Sequence, residues 1–286
     1  MNYRRKKEIE QKIGFTLLRF ATLIVLFVLA VVIYDIASKG VGVLSWEFLS
    51  SPPRQGMTAG GIFPAIIGTI LVTMITALAA VPIGVFAAIY LNEYARKNKI
   101  SRLIRMAIRN LAGVPSIVYG LFGMALFVKT LGFGTSILSA GLTLGLLTLP
   151  VTITASEEAL KAVPNSYRQG ALALGVSKWH MIRSNVLPYA LPGILTGAIL
   201  GLSRAAGETA PILFTGAAFF LPYLPDSLSS QFMALPYHLY ILATQHSSIS
   251  QVRPIAYGTA LVLIVLVLGM NLVAILISSK YRRKDN

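Results

Sequence analysis

Two oppositely charged residues, Arg204 and Glu208, lie one helical turn apart within the apolar run 189–221. Because a charge in the hydrocarbon core of a bilayer costs about 2.5 kcal/mol or more, ionisable residues there usually have a function. A guanidinium offers paired donors to oxygen anions, and the carboxylate at position i+4 partly neutralises its charge. The pair therefore predicts either transient contact with an anion that crosses the membrane or a structural ion pair that holds this segment to a neighbouring helix.

The sequence contains no pattern that predicts covalent or metal chemistry. It has no Cys, which excludes thiolate metal sites and cysteine nucleophiles, and His180, His238 and His246 lack metal-ligand spacing. Gly170 and Gly175 are not followed by Lys and Ser or Thr, so no phosphate-binding Walker A loop is predicted. We therefore expect no catalytic residue, metal or cofactor, and the energy for transport must come from a partner or from a gradient.

The composition indicates an integral membrane protein. Of the 286 residues, 55% are hydrophobic and 12% are charged, whereas soluble domains carry about 25% charged residues. The mean hydropathy is +0.72. The net charge of +15 could suggest nucleic acid binding, but the charges lie in the loops between apolar segments, where they set topology. We therefore expect membrane lipids, and no nucleic acid, among the partners.

Six apolar segments have the length needed to cross a bilayer, which is about 17–25 residues or more when a helix is tilted or broken. The predicted spans are 14–36, 61–92, 107–129, 137–156, 189–221 and 254–279. Most Lys and Arg residues lie in the two tails and in two loops, 93–110 and 157–188. The positive-inside rule therefore predicts an all-α integral membrane protein with six transmembrane helices and both termini in the cytoplasm. The basic residues on the opposite side are Lys39, Arg54, Lys129 and Arg253.

These spans divide the chain into four parts. The parts are a basic cytoplasmic tail (1–13), the first transmembrane helix with an outer loop (14–60), a core of five transmembrane helices that contains the cytoplasmic loop 157–188 (61–279), and a second cytoplasmic tail (280–286). The first span follows a basic segment, as a signal peptide does. Its apolar run is too long for a signal peptide, so we interpret it as an uncleaved anchor.

A stripe of small residues precedes the charged pair. Gly193, Gly197 and Gly201 recur at four-residue spacing, and together with Arg204 and Glu208 they fall within an arc of about 80° on a helix. Such stripes allow another helix to approach closely. We therefore expect the glycines to pack against a neighbouring helix and the two charges to face protein and not lipid.

The fifth span is expected to be broken or bent. Pro211 removes the hydrogen bond to the carbonyl of Gly207, which loosens the helix beside Glu208. The run 189–221 is also too long for one straight crossing at about 1.5 Å per residue.

The cytoplasmic loop 157–188 has a pattern of its own. Gln169-Gly170-Ala171 is followed after three residues by Gly175, and after nine further residues by Asn185, Val186 and Leu187-Pro188. This spacing resembles the EAA loop of type I ABC importer permeases, in which Glu-Ala-Ala, Gly and Ile-x-Leu-Pro occupy the same positions. Gly175 and Leu187-Pro188 match that pattern, whereas Gln169, Gly170 and Asn185 replace its Glu, Ala and Ile.

The resemblance implies that the loop docks in a groove of a cytoplasmic ATPase. Because the family's Glu is replaced, Arg168 or Lys178 is expected to meet acidic groups on that ATPase. The alternative interpretation is an amphipathic helix that rests on the inner leaflet of the membrane.

Several other stretches resemble the phosphate-transport permeases, and among them the PstA family more than its PstC partner. These stretches are 60–69, 80–84, 113–123, 203–211 and 233–238. The resemblance extends over roughly residues 60–280. It implies a multi-pass protein of the prokaryotic plasma (inner) membrane that has no enzymatic activity of its own. The implied partners are a second homologous permease, two copies of a cytoplasmic ATP-binding subunit and an extracytoplasmic phosphate-binding protein.

The chemistry of individual side chains, with phosphate as the ion that the resemblance implies, predicts roles for three residues. Arg204 is expected to contact phosphate in the translocation pathway, and Glu208 to weaken that contact or to accept a hydrogen bond from protonated phosphate. Ser116 lies within 113–123 and is expected to line the pathway, although an interhelical hydrogen bond is the alternative role.

Other classes of function remain possible. The chain could be the partner permease of the same phosphate system, or a permease for another oxyanion such as molybdate or sulfate. A gradient-driven transporter would be expected to show internal inverted repeats and more intramembrane ionisable residues. A channel or a membrane scaffold would leave the EAA-like loop unexplained.

Overall fold

The computed structural model describes residues 3–96 and 98–282, which are mostly helical. The α-helices within these residues are α1 (Tyr3–Gly40), α2 (Trp46–Ser50), α3 (Phe63–Ile89), α4 (Lys99–Leu111), α5 (Ser116–Gly123), α6 (Ile137–Lys161), α7 (Asn165–Ala173), α8 (Lys178–Met181), α9 (Leu187–Ala206), α10 (Ala210–Thr215), α11 (Leu235–Thr244) and α12 (Ile249–Arg282). Short 3-10 helices cover Val41–Val43 and Gln55–Met57, and π-helical turns cover Tyr90–Tyr94, Met124–Thr130 and Ile182–Val186. A small antiparallel hairpin pairs β1 (Pro53–Arg54) with β2 (Ala59–Gly60).

Five helical segments in the described residues are long and apolar enough to cross a membrane. They are Glu10–Val43, Phe63–Tyr94, Ile137–Lys161, Lys178–Ala206 and Ile249–Val273. The bent pair Lys99–Leu111 and Ser116–Thr130 gives a sixth span if it is counted as one. The predicted class, an all-α integral membrane protein, is therefore confirmed, while the side on which the termini lie stays a prediction. Of the predicted tails, residues 1–2 and 283–286 lie outside the described residues.

The third predicted span, 107–129, is not one straight helix. The chain bends by 101° between α4 and the helical segment Ser116–Thr130. Pro115 lies at the start of α5 with ψ of 139°, and a proline both lacks an N–H donor and disfavours helical geometry in the residue before it. The apolar residues of 107–111 therefore belong to a separate amphipathic helix and not to the crossing.

The fifth predicted span, 189–221, is broken beside Glu208. The helix α9 ends at Ala206, and α10 starts at Ala210 with Pro211 in its first turn. A proline is tolerated in the first turn of a helix because the N–H group at that position has no intrahelical partner. The break that Pro211 predicted is therefore present. The helix does not continue to residue 221, since α10 ends at Thr215.

The central helix of the fold is α6. It packs against α3, α9 and α10, and two thirds of its most apolar window (67%) is buried. By contrast, the apolar window of α1 is fully exposed within this chain. The C-terminal end of α1 is fixed to α12, where a Cβ placed on Gly40 would lie 2.7 Å from the carbonyl oxygen of Tyr257.

Candidate translocation pathway and coupling loop

The charged pair lies at the break between α9 and α10. The Nε atom of Arg204 lies 3.3 Å from Oε1 of Glu208, and the side chain of Arg204 is 55% exposed, against 17% for Glu208. Arg204 occupies the last turn of α9, where a cation interacts favourably with the helix dipole. The pair is local to one chain segment and does not join α9 to another helix of this chain, so about half of the guanidinium side chain stays accessible.

The middle of α5 lies beside α10. A Cβ placed on Gly120 would lie 3.0 Å from the carbonyl oxygen of Ala210. Ser116 is the first residue of α5 and is partly buried. Its position, one turn before Gly120 on the same helix, puts it at the end of α5 that meets the bend. The structure therefore brings α5 and α10 together, although Ser116 makes no hydrogen bond that would assign it a role.

Tyr119 is a further residue of this region that sequence reasoning did not single out. Its hydroxyl donates a hydrogen bond of 2.9 Å to the carbonyl oxygen of Leu111, across the bend between α4 and α5. It also lies close enough to Arg204 for an electrostatic interaction. Tyr119 thus spans the bend between α4 and α5 and lies near the charged pair. Its position four residues after Pro115 was the sequence signal that could have pointed to it.

The glycine stripe of α9 packs directly against α6. A Cβ on Gly197 would lie 2.2 Å from the Cβ of Ala155, and one on Gly193 would lie 2.8 Å from that of Ala159. On Gly201 it would lie 3.0 Å from a methyl group of Thr148. The three glycines therefore allow the two helices to approach within a distance that a side chain would prevent.

The loop 157–188 forms the two short helices α7 and α8 and the π-helical turn Ile182–Val186. Gly175 follows α7 with φ of +76°, a left-handed conformation that suits glycine at a helix end. Ala171 is buried and anchors α7, whereas Gln169, Gly170 and Leu174 are exposed. The side chain of Leu174 is 84% exposed, so the turn presents an apolar group outward. Leu187 and Pro188, the last two residues of the motif, lie at the start of α9. Leu187 is half-buried and Pro188 is exposed.

The side chain of Arg168 binds groups of this same chain. It donates to both carboxylate oxygens of Glu93, with the shortest distance 2.8 Å, and to the carbonyl oxygens of Val163 and Leu160 at 2.8 Å each. These contacts do not fit the expected contact of Arg168 with an acidic group on an ATPase. Instead, Arg168 holds α7 against the end of α3. Sequence reasoning missed Glu93, because nothing in the sequence connects two residues this far apart.

Lys178, the other predicted contact, lies over an aromatic ring of the same chain. Its Nζ atom is 4.8 Å from the centre of the Tyr94 ring. Lys178 itself is exposed. Within residues 3–96 and 98–282, no group of three or more His, Asp and Glu residues could hold a metal ion.

The bundle of membrane-crossing helices, in which the loop 157–188 joins α6 to α9, defines an integral membrane protein. Residues 80–283 match the family of binding-protein-dependent transport system inner membrane components. The chain belongs to this family, and it is a multi-pass protein of the inner membrane.

Similar proteins include permeases with a stated substrate. The chain is 40% identical over 220 residues to phosphate transport system permease protein PstA 1 of Mycobacterium tuberculosis, covering 77% of this chain and 71% of the relative. It is 33% identical over 285 residues to PstA of Yersinia pestis, covering 98% and 95%. It is also 35% identical over 247 residues to the probable ABC transporter permease YqgI of Bacillus subtilis, covering 82% and 84%.

Solved ABC importers share the fold. A chain of the MetNI methionine transporter in an inward-facing conformation aligns with a TM-score of 0.62 at 16% identity, covering 77% of this chain and 97% of that one. A chain of a bacterial importer of alginate aligns with a TM-score of 0.65 at 14% identity, covering 97% and 99%. The predicted type I ABC importer permease architecture is therefore confirmed.

Proposed function

We propose that this chain is the permease subunit of an ATP-driven phosphate importer. The proposal is supported by relatives that are named phosphate permeases and cover most of the chain. The structural observation that carries it is the half-exposed Arg204 at the break of a membrane-crossing helix. A cation in that position is costly unless something transported or bound offsets it.

Phosphate suits the chemistry of this pair. The planar guanidinium can donate two parallel hydrogen bonds to phosphate oxygens, which a lysine cannot match. Glu208 draws on part of the same guanidinium. The attraction is thereby weakened, so that the ion is held briefly and released, and the carboxylate can accept a hydrogen bond from protonated phosphate. In this proposal the break at residues 207–209 and the adjacent end of α5 with Ser116 form part of the pathway wall.

The chain contributes binding and movement, and ATP hydrolysis takes place on a partner subunit. The exposed surface that contains Gly170 of α7 and the following turn, Leu174 and Gly175, docks in the ATPase groove. The assembly is completed by a second homologous permease, two copies of the ATP-binding subunit and an extracytoplasmic phosphate-binding protein. Movement of the docked loop is passed to the crossing helices through α6 and α9, which directly flank it.

The test is ATP hydrolysis by the complex in reconstituted vesicles. The phosphate-binding protein is supplied on the side of the vesicle membrane that the extracytoplasmic face of the complex occupies. Phosphate is expected to stimulate hydrolysis and to be taken up, whereas sulfate and molybdate do neither. Stimulation by sulfate or molybdate in place of phosphate would assign the chain to a different oxyanion. Uptake driven by an ion gradient without ATP would contradict the ABC mechanism.

A further inference from the structure

The helix α4 and the segment before it form a basic groove on the surface of the chain. The groove has a volume of about 520 Å³ and is lined by cationic side chains, with Asn98 and Ser101 beside them. The cationic residues are Arg96, Lys99, Arg102, Arg105 and Arg109. None of them takes part in the translocation pathway or the coupling loop described above.

Most of this positive charge is not balanced by the protein. Arg105 forms an ion pair with Glu157 of α6 and donates a hydrogen bond to the carbonyl oxygen of Leu91, so it fixes α4 to the core. Arg96, Lys99, Arg102 and Arg109 form no ion pair with a carboxylate of the described residues. The groove is therefore held in place by one arginine and offers the other cations to an external anion.

The opposite flank of α4 is apolar and also uncovered. Ile100, Leu103, Ile104 and Leu111 are exposed, and at 100° per residue they fall within an arc of about 100° on the helix. A second groove on that side is lined in part by Ile100, Ile104 and the exposed ring of Tyr90. Amphipathic aromatic rings such as this one are typical of the boundary between membrane and water.

The direction of α4 completes the pattern. The bend of 101° makes α4 run across the direction of the membrane-crossing segment Ser116–Thr130, and the hydrogen bond from Tyr119 to Leu111 spans that bend. A helix that runs across a span, with an apolar flank and an arginine-rich flank, has the properties of a helix that lies in the membrane interface.

We propose that α4 lies in the membrane interface and that its basic groove binds the phosphate headgroup of an anionic phospholipid. The apolar flank inserts at the boundary between headgroups and acyl chains, at a depth of about 5–10 Å. At that depth, Arg102 and Arg109 reach headgroup oxygens because long basic side chains extend toward the aqueous side. The positive-inside rule places this groove in the cytoplasmic leaflet.

An anionic lipid accounts for both the basic groove and the exposed apolar flank of α4. A free anion accounts for the basic groove alone. Free phosphate would satisfy the basic groove and leave the row of exposed apolar residues in water. An acidic surface of a partner protein would have to cover the groove and the apolar flank together. The proposal does not depend on which ion the permease transports, so the two can fail separately.

The first experiment measures lipid binding to the full chain by native mass spectrometry. Phosphatidylglycerol and phosphatidylcholine are titrated against the wild type, the double variant Arg102→Gln/Arg109→Gln and the matched double variant Lys12→Gln/Arg19→Gln in α1. Removal of two cations from the groove is expected to weaken phosphatidylglycerol binding roughly 10- to 30-fold. The α1 variant, which removes the same charge elsewhere, is expected to bind like the wild type.

Three outcomes of this titration would overturn the proposal. They are equal binding of phosphatidylglycerol by the groove variant and the wild type, equal loss in the α1 variant, and displacement of the lipid by excess inorganic phosphate. The last result would assign the groove to free phosphate. Elution of each variant at the same volume as the wild type in size-exclusion chromatography shows that it is folded.

The second experiment measures the depth of α4 and uses the absence of cysteine from the chain. Single variants Leu103→Cys and Arg109→Cys are spin-labelled in the full chain in vesicles that contain phosphatidylglycerol. Collision with oxygen is expected to dominate at 103, and collision with a water-soluble nickel complex at 109. Exposure of both labels to nickel would overturn the interfacial position. Protection of both labels in the assembled complex would show that a partner protein covers the helix.

Discussion

Glu93 and Arg168 form a nearly buried ion pair that joins the end of the second membrane-crossing segment to α7, in the loop that we propose to dock on an ATPase. The side chains are only 5% and 16% exposed, and Nη2 of Arg168 lies 2.8 Å from Oε1 of Glu93. The same guanidinium also binds two carbonyl oxygens at the end of α6 and the turn after it. One arginine therefore fixes α7 to α3 and α6, so a displacement of the loop must move these helices or break the pair.

The first prediction concerns this ion pair. Glu93→Gln leaves Arg168 without its counter-charge in a covered position, and such changes cost about 3–5 kcal/mol. We expect a lower unfolding midpoint in detergent and a higher ratio of ATP hydrolysed to phosphate taken up, because α7 no longer moves rigidly with α3. Glu158→Gln is the control, since the Glu158 side chain is 65% exposed in its ion pair with Lys161 and exposed pairs contribute about 0–1 kcal/mol. Equal effects of the two variants would contradict the coupling role.

The ion pair between Glu93 and Arg168 and the break between α9 and α10 differ in how far the sequence predicts them. The break follows from Pro211, a local rule that acts within a few residues. Pro115 acts by the same rule, but the apolar residues of α4 extend the hydropathy of the third span and conceal the bend. The basic residues at 102, 105 and 109, spaced by three and four, were the signal of an amphipathic helix.

The contact between Glu93 and Arg168 could not be predicted from a local sequence rule of this kind. It joins residues 75 positions apart, and its existence depends on how α3 and α7 are placed in three dimensions. The packing of the glycine stripe was predictable in part. Its spacing indicated close packing, but only the structure shows that the facing residues are Ala155, Ala159 and Thr148 of α6.

The second prediction tests the role of Arg204. Arg204→Gln removes the proposed charge-assisted hydrogen bonds to phosphate, each worth about 1.5–3 kcal/mol, so we expect phosphate uptake to fall about tenfold or more. Arg204→Lys keeps the charge but loses the paired donors and is expected to restore uptake only in part. Arg19→Gln, which removes an exposed arginine from α1, is expected to leave uptake unchanged. Full uptake by Arg204→Lys would favour a purely structural role.

The third prediction tests the contact between α9 and α6. Gly197→Ala puts a methyl group 2.2 Å from the Cβ of Ala155, and such overpacking costs about 1–3 kcal/mol. The unfolding midpoint is expected to fall, and the second substitution Ala155→Gly is expected to restore it because it vacates the same space. Gly269→Ala in α12 is the matched control, since no atom lies within 4 Å of its added Cβ. A midpoint unchanged by Gly197→Ala would show that the helices are farther apart.

The fourth prediction tests the docking turn after α7. Gly175 has φ of +76° and nothing within 4 Å of an added Cβ. Asp is among the residues that adopt this conformation most readily, so Gly175→Asp is expected to insert and fold like the wild type. Its carboxylate would project from the surface that we propose to dock on the ATPase, so hydrolysis should no longer be coupled to phosphate uptake.

Gly56 supplies a closely matched control for that change. It has φ of +63° and an equally open surrounding, but it lies in the turn between β1 and β2, in the segment predicted to be extracytoplasmic. Gly56→Asp adds the same side chain in the same backbone conformation and is expected to keep uptake coupled to hydrolysis. The measurement is ATP hydrolysis and phosphate uptake on the same vesicles. Coupling that survives Gly175→Asp, or that is lost equally in Gly56→Asp, would remove the turn after α7 from the docking surface.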